Sequence, residues 1–178
     1  KNSSKAPEVV LKLSELLDYM LYECNVDKIP ASKEVNLINN YISLEKLRYG
    51  DRLDVSFNSS VESMNTKIAP MLILPFVENA FKHGVSNKID TNWLLIDLKI
   101  KGRIMTLKVE NSKSNEQNIR IVEKEHNNGI GLTNVRRRLN LLYENSYDLQ
   151  IFNEEDTFLV VLKLELDEIS VASPLEFA

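Results

Sequence analysis

The sequence predicts an α+β two-layer sandwich: a sheet covered on one face by helices and preceded by two further helices. Three observations carry this. Two pairs of alternating apolar segments sit close enough in sequence to form hairpins, which demand antiparallel pairing. Helical periodicities fall before, between and after them in an order that is not βαβα, so a doubly wound sheet is excluded. The chain of 178 residues, 43% apolar and 27% charged, is long enough to bury one such core.

Residues 7–24 place Val9, Val10, Leu13, Leu16, Leu17, Met20 and Leu21 at three-four spacing, an amphipathic helix whose first turn suits Pro7. Residues 25–31, with Pro30, read as a connection. Ser32 is placed to cap a second helix, with Glu34 in its first turn. That helix runs to about Tyr49 with a broad apolar face of Val35, Ile38, Tyr41, Ile42, Leu44 and Leu47. The two helices are expected to pair with each other or with a second subunit. Leu53, Val55 and Phe57 alternate with polar residues as a half-buried strand. The apolar run from Ala69 to His83 reads as a helix ended by Gly84, with Pro75 marking either a kink or the start of its regular part.

Leu94, Ile96, Leu98 and Ile100, then Met105, Leu107 and Val109, form a hairpin around Gly102. Residues 112–128 are polar and unpatterned, and a loop of that length inside a domain is commonly functional. Leu132, Val135, Leu139 and Leu142 mark another helix. Leu149 and Ile151, then Phe158, Val160, Leu162 and Leu164, mark a closing hairpin. After Asp167 no period is visible.

Charge and composition exclude several functions. Twenty-two basic against 26 acidic residues give a net charge of −4, which argues against holding nucleic acid by phosphate attraction. A single cysteine, Cys24, allows no internal disulfide and fits a reducing compartment. It and the two histidines, His83 and His126, are too few for a structural zinc site. No apolar run approaches the ~20 residues of a membrane span, and no signal-peptide core follows Lys1. A first residue other than Met suggests a chain that is processed or cut from something larger.

Three constellations bear chemistry. In Glu78-Asn79-Ala80-Phe81-Lys82-His83-Gly84, Glu78 and Lys82 lie one helical turn apart, as do Asn79 and His83. A solvent edge with a Glu–Lys pair is the plain reading. Asn79, however, sits among apolar neighbours, and its amide oxygen is a hard ligand suited to magnesium, while Lys82 can meet phosphate as a point charge. Asn111 continues the core phase of Leu107 and Val109 and so needs a partner: either it caps the strand end or it faces a pocket and bonds a nucleobase edge. In Gly129-Ile130-Gly131-Leu132-Thr133-Asn134, two glycines lead into a helix, so free amides and the positive helix end form an anion site, reinforced by Arg136, Arg137 and Arg138. The alternative is a tight turn with a basic face. Neither a dinucleotide fingerprint nor a P-loop is present.

Together these segments resemble the ATP-binding fold of sensor histidine kinases, gyrase-type ATPases and related chaperones. Leu74-Pro75-Phe76-Val77-Glu78-Asn79-Ala80-Phe81-Lys82-His83-Gly84 is similar to the asparagine box, and Gly129-Ile130-Gly131-Leu132-Thr133-Asn134-Val135-Arg136-Arg137-Arg138-Leu139 to the glycine box, of LytS/YehU-type sensor kinases. Leu13-Ser14-Glu15-Leu16-Leu17 and Tyr41-Ile42-Ser43-Leu44-Glu45-Lys46-Leu47-Arg48 extend the likeness to most of the chain up to about residue 166.

The resemblance implies a mixed, largely antiparallel sheet. It divides the chain into a helical remnant of the dimerisation and phosphoacceptor region (1–49), an ATP-binding catalytic domain (50–166) and a tail (167–178). Its implied cofactors are ATP and Mg2+. Asn79 would hold the metal, and Glu78 would orient or deprotonate the attacking group. Lys82 and His83 would contact phosphates or ribose. Asn111 would read adenine, and Gly129 and Gly131, with the amides of Leu132, Thr133 and Asn134, would cradle phosphates under a lid formed by 112–128. Implied partners are a response regulator and a second kinase copy, with no nucleic acid. The implied place is the cytoplasmic portion of a bacterial inner-membrane sensor, attached through a missing amino-terminal region.

Four departures stand out. Asn111 replaces the family's Asp, Lys113 stands where a Gly is usual, and Asp18 stands where Arg is expected after Leu17. The His-Phe-Leu-Phe-Asn-like phosphoacceptor motif is absent, so self-phosphorylation of this chain is not expected. Two rivals remain: another ATPase of the same fold, which would need a transducer domain after the last strand, and a non-catalytic dimerising module, which would not bind ATP.

Overall fold

The computed structural model describes residues 6–62, 66–84, 92–113 and 130–168. Helix α1 spans Ala6–Asp18 and passes into a wide turn at Tyr19–Glu23. A short strand β1 (Ile29–Pro30) leads into α2 (Ala31–Tyr49). Strands β2 (Leu53–Val61) and β3 (Thr66–Ile68) precede α3 (Leu74–Gly84). The hairpin β4 (Asn92–Lys101) and β5 (Ile104–Ser112) comes next, followed by α4 (Ile130–Leu142). A second hairpin, β6 (Tyr147–Asn153) and β7 (Thr157–Glu165), and a final β8 (Asp167–Glu168) complete the order.

The alternating segments pair as their phase demands. The main sheet has the order β2-β4-β5-β7-β6, antiparallel except for β2, which runs parallel to β4 from Leu53↔Asn92 to Val61↔Ile100. The mixed sheet expected from the family likeness is therefore present. Ile96, Val109 and Val160 stand in register across β4, β5 and β7, as do Leu98, Leu107 and Leu162, all buried on one face. Each such side chain contributes about 1.5–3 kcal/mol on burial. Over them lie Leu37, Ile38 and Ile42 of α2, Phe76, Val77, Ala80 and Phe81 of α3, and Val135 and Leu139 of α4. A small sheet, β1-β3-β8, closes one corner.

Two helix starts differ from the sequence reading. The third helix begins at Leu74, not Ala69, so of the two readings of Pro75 the second holds: it marks the start of the regular helix and stands in the first turn, where its missing N–H costs nothing. Residues 70–73 instead make a turn in which Met71 has a left-handed φ of 53°. Ser32 does not cap the second helix: the cap position is Pro30, with no side-chain bond, because the helix starts directly where β1 ends. Helix α1 buries only Leu16 and meets α2 through Asn40 Nδ2, which donates to Glu15 Oε2 at 3.0 Å. Val10 and Leu11 of α1, and Leu21 and Tyr22 of the turn after it, stay exposed. No helix among the described residues is long and apolar enough to cross a membrane.

Candidate nucleotide site

Asn111 ends the core face of β5, between Leu94 on one side and Phe158 on the other. It is 0% exposed. Its Nδ2 donates to the Ser112 carbonyl at 2.8 Å, while its Oδ1 is buried with no partner among the described residues. A buried acceptor left unpaired costs about 1–3 kcal/mol, so an incoming donor there would be stabilised. The exocyclic amine of adenine is such a donor. A buried acceptor of this kind fits the chemistry expected of an adenine-reading residue.

The carboxyl end of α3 is held against this strand end. Ser112 Oγ donates to the Gly84 carbonyl at 3.4 Å and accepts the Trp93 amide at 3.1 Å. A Cβ on Gly84 would stand 3.0 Å from that of Asn111, so only glycine lets the helix end come this close. The same end carries Glu78, Lys82 and His83 on exposed positions and Asn79 half-buried. Partial desolvation against the protein, and then the Lys82 ammonium, hold the imidazole of this largely exposed His83 below its ordinary pKa.

On the other side, α2 grips α3 through aromatics. Tyr41 meets Phe81 edge-on, with centroids 5.8 Å apart, and Tyr49 stacks on it at 6.1 Å. The Tyr41 hydroxyl is pushed up from its ordinary pKa by burial, then by Glu45 and Glu78. It therefore stays a neutral donor near Glu78.

Helix α4 starts one residue before Gly131, so this glycine lies inside the first turn rather than ahead of it. The first-turn amides have no partner within the helix, and a Cβ added at Gly131 would meet none of the described residues within 4 Å. Thr133 and Asn134 are exposed, and Leu132 packs on the core. Gly129 and the expected lid from 114 on lie outside the described residues. Arg138 is not part of a free basic face: its Nη1 donates to the Met71 carbonyl at 3.2 Å, ahead of α3.

Lys113 is engaged by the β6–β7 turn. Its Nζ donates to Asn153 Oδ1 at 2.7 Å and to the Glu154 carbonyl at 2.6 Å, while its amide bonds Asp156. The lysine in place of the usual glycine thus ties the end of β5 to the β6–β7 turn. Among the described residues no group of three His, Cys, Asp or Glu side chains could hold a metal. A magnesium ion at Asn79 would take its other oxygens from phosphate and water, as this ion does.

Two residues with a bearing on the site were not singled out from the sequence. Tyr41 was counted only as core. Glu34 was placed at a helix start, but it is fully buried. The signal was there: Glu34, Ile38 and Ile42 are spaced four apart and share one buried stripe.

Residues 1–53 match the family model for histidine kinase, and residues 71–166 that for the GHKL domain. The Bacillus subtilis protein YwpD is 31% identical over 140 residues, covering 76% of this chain and 50% of YwpD. The sensor histidine kinase/phosphatase LytS of Staphylococcus aureus is 31% identical over 179 residues, covering 94% of this chain and 30% of LytS. The chain thus spans half or less of these curated relatives. The catalytic domain of histidine kinase ThkA superposes with a TM-score of 0.51 at 14% identity, covering 78% of this chain and 94% of that domain. ThkA solved in complex with the response regulator protein TrrA gives 0.50 at 11% identity, covering 94% of this chain and 51% of that one. With a GHKL match over more than half its length, preceded by a histidine kinase match, the chain belongs to the GHKL domain family and is similar to LytS-type sensor histidine kinases.

Proposed function

We propose that this chain binds Mg-ATP between the carboxyl end of α3 and the amino end of α4. From there it presents the γ-phosphoryl group to a histidine on a segment preceding residue 1. The observation that carries the reading is the buried Oδ1 of Asn111, without a partner among the described residues, beside Gly84 at the end of the helix that bears Asn79. Asn79 supplies an oxygen to magnesium, and Glu78 orients the attacking nitrogen. Lys82, His83 and the first-turn amides of α4 hold phosphate oxygens. In phosphoryl transfer the protein's work is placement and charge stabilisation, which this set of donors suits. The carboxyl half of α4 is tied to the start of α3 by Arg138 and the two helices pack together, which supports an α4 whose amino end runs back toward Asn79.

The phosphoryl group then passes to an aspartate of a response regulator, a partner class supported by the ThkA–TrrA complex. Exposed Val10, Leu11, Leu21 and Tyr22 on and after α1 support dimerisation of the whole kinase, on the cytoplasmic side of a membrane sensor.

A melting-temperature titration tests the reading. Mg-ATP at 100 times its Kd should stabilise the chain by about 2.7 kcal/mol, and Asn79→Ala should abolish most of the shift. No shift at millimolar Mg-ATP would favour the non-catalytic module, for which the uncharged Asn111 speaks.

A further inference from the structure

Glu34 sits in the first turn of α2, yet both its oxygens serve another element. Oε1 accepts the Met71 amide at 3.0 Å and Oε2 the Leu72 amide at 2.9 Å. The carboxylate is 0% exposed, with the Tyr19 hydroxyl 3.5 Å from Oε1. The segment it grips, residues 69–73, leads directly into α3. That segment is held from two more sides: Arg138 of α4 donates to the Met71 carbonyl, and the Ala69 amide donates to the Tyr143 hydroxyl at 2.7 Å. Met71 takes a left-handed φ of 53°, which a side chain other than glycine adopts only when its surroundings hold it there. Leu72 and Ile73 are buried, and Phe76 and Val77 bond back to the Ile73 carbonyl, so the turn and the first turn of α3 move as one piece.

We infer that Glu34 is a positioning residue: its ionised carboxylate fixes the Met71 turn and, through it, the placement of α3 and of Asn79 one turn further on. Nucleotide affinity thereby depends on a side chain of the α1–α2 segment. The chemistry is specific to charge state. An ionised carboxylate accepts both amides, whereas a protonated carboxyl or a glutamine accepts one and turns a donor toward the other. The ionisable groups facing it are Tyr19, Arg138 and Tyr143. Lys28 lies 4.9 Å over the Tyr143 ring and is itself paired with Asp167. Burial pushes the Glu34 carboxyl up to about 7, against the pull of the amides and Arg138, so both charge states are populated near neutral pH.

The affinity test rests on the Mg-ATP reading, so it is paired with one that does not. Titrate the wild-type chain and Glu34→Gln with Mg-ATP between pH 6 and 8. His83 and the nucleotide titrate in both proteins, so only the difference between them reports Glu34. The loss of one amide bond should weaken Glu34→Gln about five-fold at pH 8, with the gap closing toward pH 6. Equal affinities at pH 8 would overturn the inference. Without nucleotide, carboxyl NMR of Glu34 in the wild-type chain should give a titration whose midpoint reappears in the Asn79 side-chain amide signals. An Asn79 signal that ignores the Glu34 titration overturns the inference as well, and needs no variant to fold. A wild-type chain that binds no Mg-ATP at any pH would sink the function reading, leaving the NMR arm to decide the role of Glu34.

Discussion

The backbone of Gly84 and the side chain of Asn111 touch so closely that a methyl group on the first would stand 3.0 Å from the Cβ of the second. Neither side has slack. Asn111 is fully buried on a paired strand, and Gly84 closes a helix whose inner face is core. Gly84→Ala should therefore push the end of α3 off β5. Overpacking of this kind costs about 1–3 kcal/mol, and the loss of Mg-ATP affinity should exceed that of a surface control. Chemical denaturation and calorimetric titration of the same samples measure the two effects.

Asn111→Asp restores the residue usual in the superfamily. The charge should strengthen a bond from adenine, since charge-assisted bonds are roughly twice as strong as neutral ones. It also removes the donor now bonded to the Ser112 carbonyl and buries a charge. The variant should be less stable without nucleotide, by about 1–3 kcal/mol, and more strongly stabilised by Mg-ATP. Melting curves with and without nucleotide should move apart in both directions from those of the wild type.

Lys113→Ala separates stability from binding. Two Nζ bonds to the β6–β7 turn are lost, which costs about 1–3 kcal/mol. The ammonium is engaged by the β6–β7 turn, so Mg-ATP affinity should stay within about two-fold, well under 1 kcal/mol. A strong loss of affinity would place this lysine in the site after all.

Stability should fall as the solution is made alkaline. The folded chain holds the Glu34 carboxyl at about 7, above its ordinary 4.5. A raised carboxyl pKa gives a contribution that is complete below about 4.5 and lost as pH rises to about 7, at most roughly 3 kcal/mol. His83 works the other way: its pKa is lowered below 6.5, so its contribution is present above 6.5 and fades as pH falls. The exposed histidine should be the weaker of the two. Urea unfolding at pH 5 and pH 8 checks the slope, and Glu34→Gln should flatten it.

The strands were legible because a period of two survives burial on one face, and β4 and β5 obey it from Leu94 to Ile100 and from Met105 to Val109. The parallel pairing of β2 with β4 was not readable from local pattern, since it depends on how α3 crosses between them. The apolar run before α3 misled because apolarity marks burial, not helicity: Ala69, Leu72 and Ile73 are buried in a turn. At the site, Asn79 and Asn111 stood out as amides in apolar phase. Glu34 did not, because a carboxylate near a helix start already has an ordinary explanation in the helix dipole. Only its long-range partners, Met71 and Leu72, reveal its use.

The small corner sheet has a mechanical meaning. Its middle strand, Thr66–Ile68, is flanked by Ile29–Pro30 and by Asp167–Glu168, with Lys28 bonded to Asp167 beside it. The chain thus enters this sheet at Ile29, opposite Ile68, and reaches Glu168 opposite Thr66, so its two outer strands are anchored at the two ends of one short strand. Tension between those two anchor points would load a few ladder bonds of a three-residue strand long before it reached the five-stranded sheet. The first thing to give would be the strand that runs straight into Ala69 and the turn behind it.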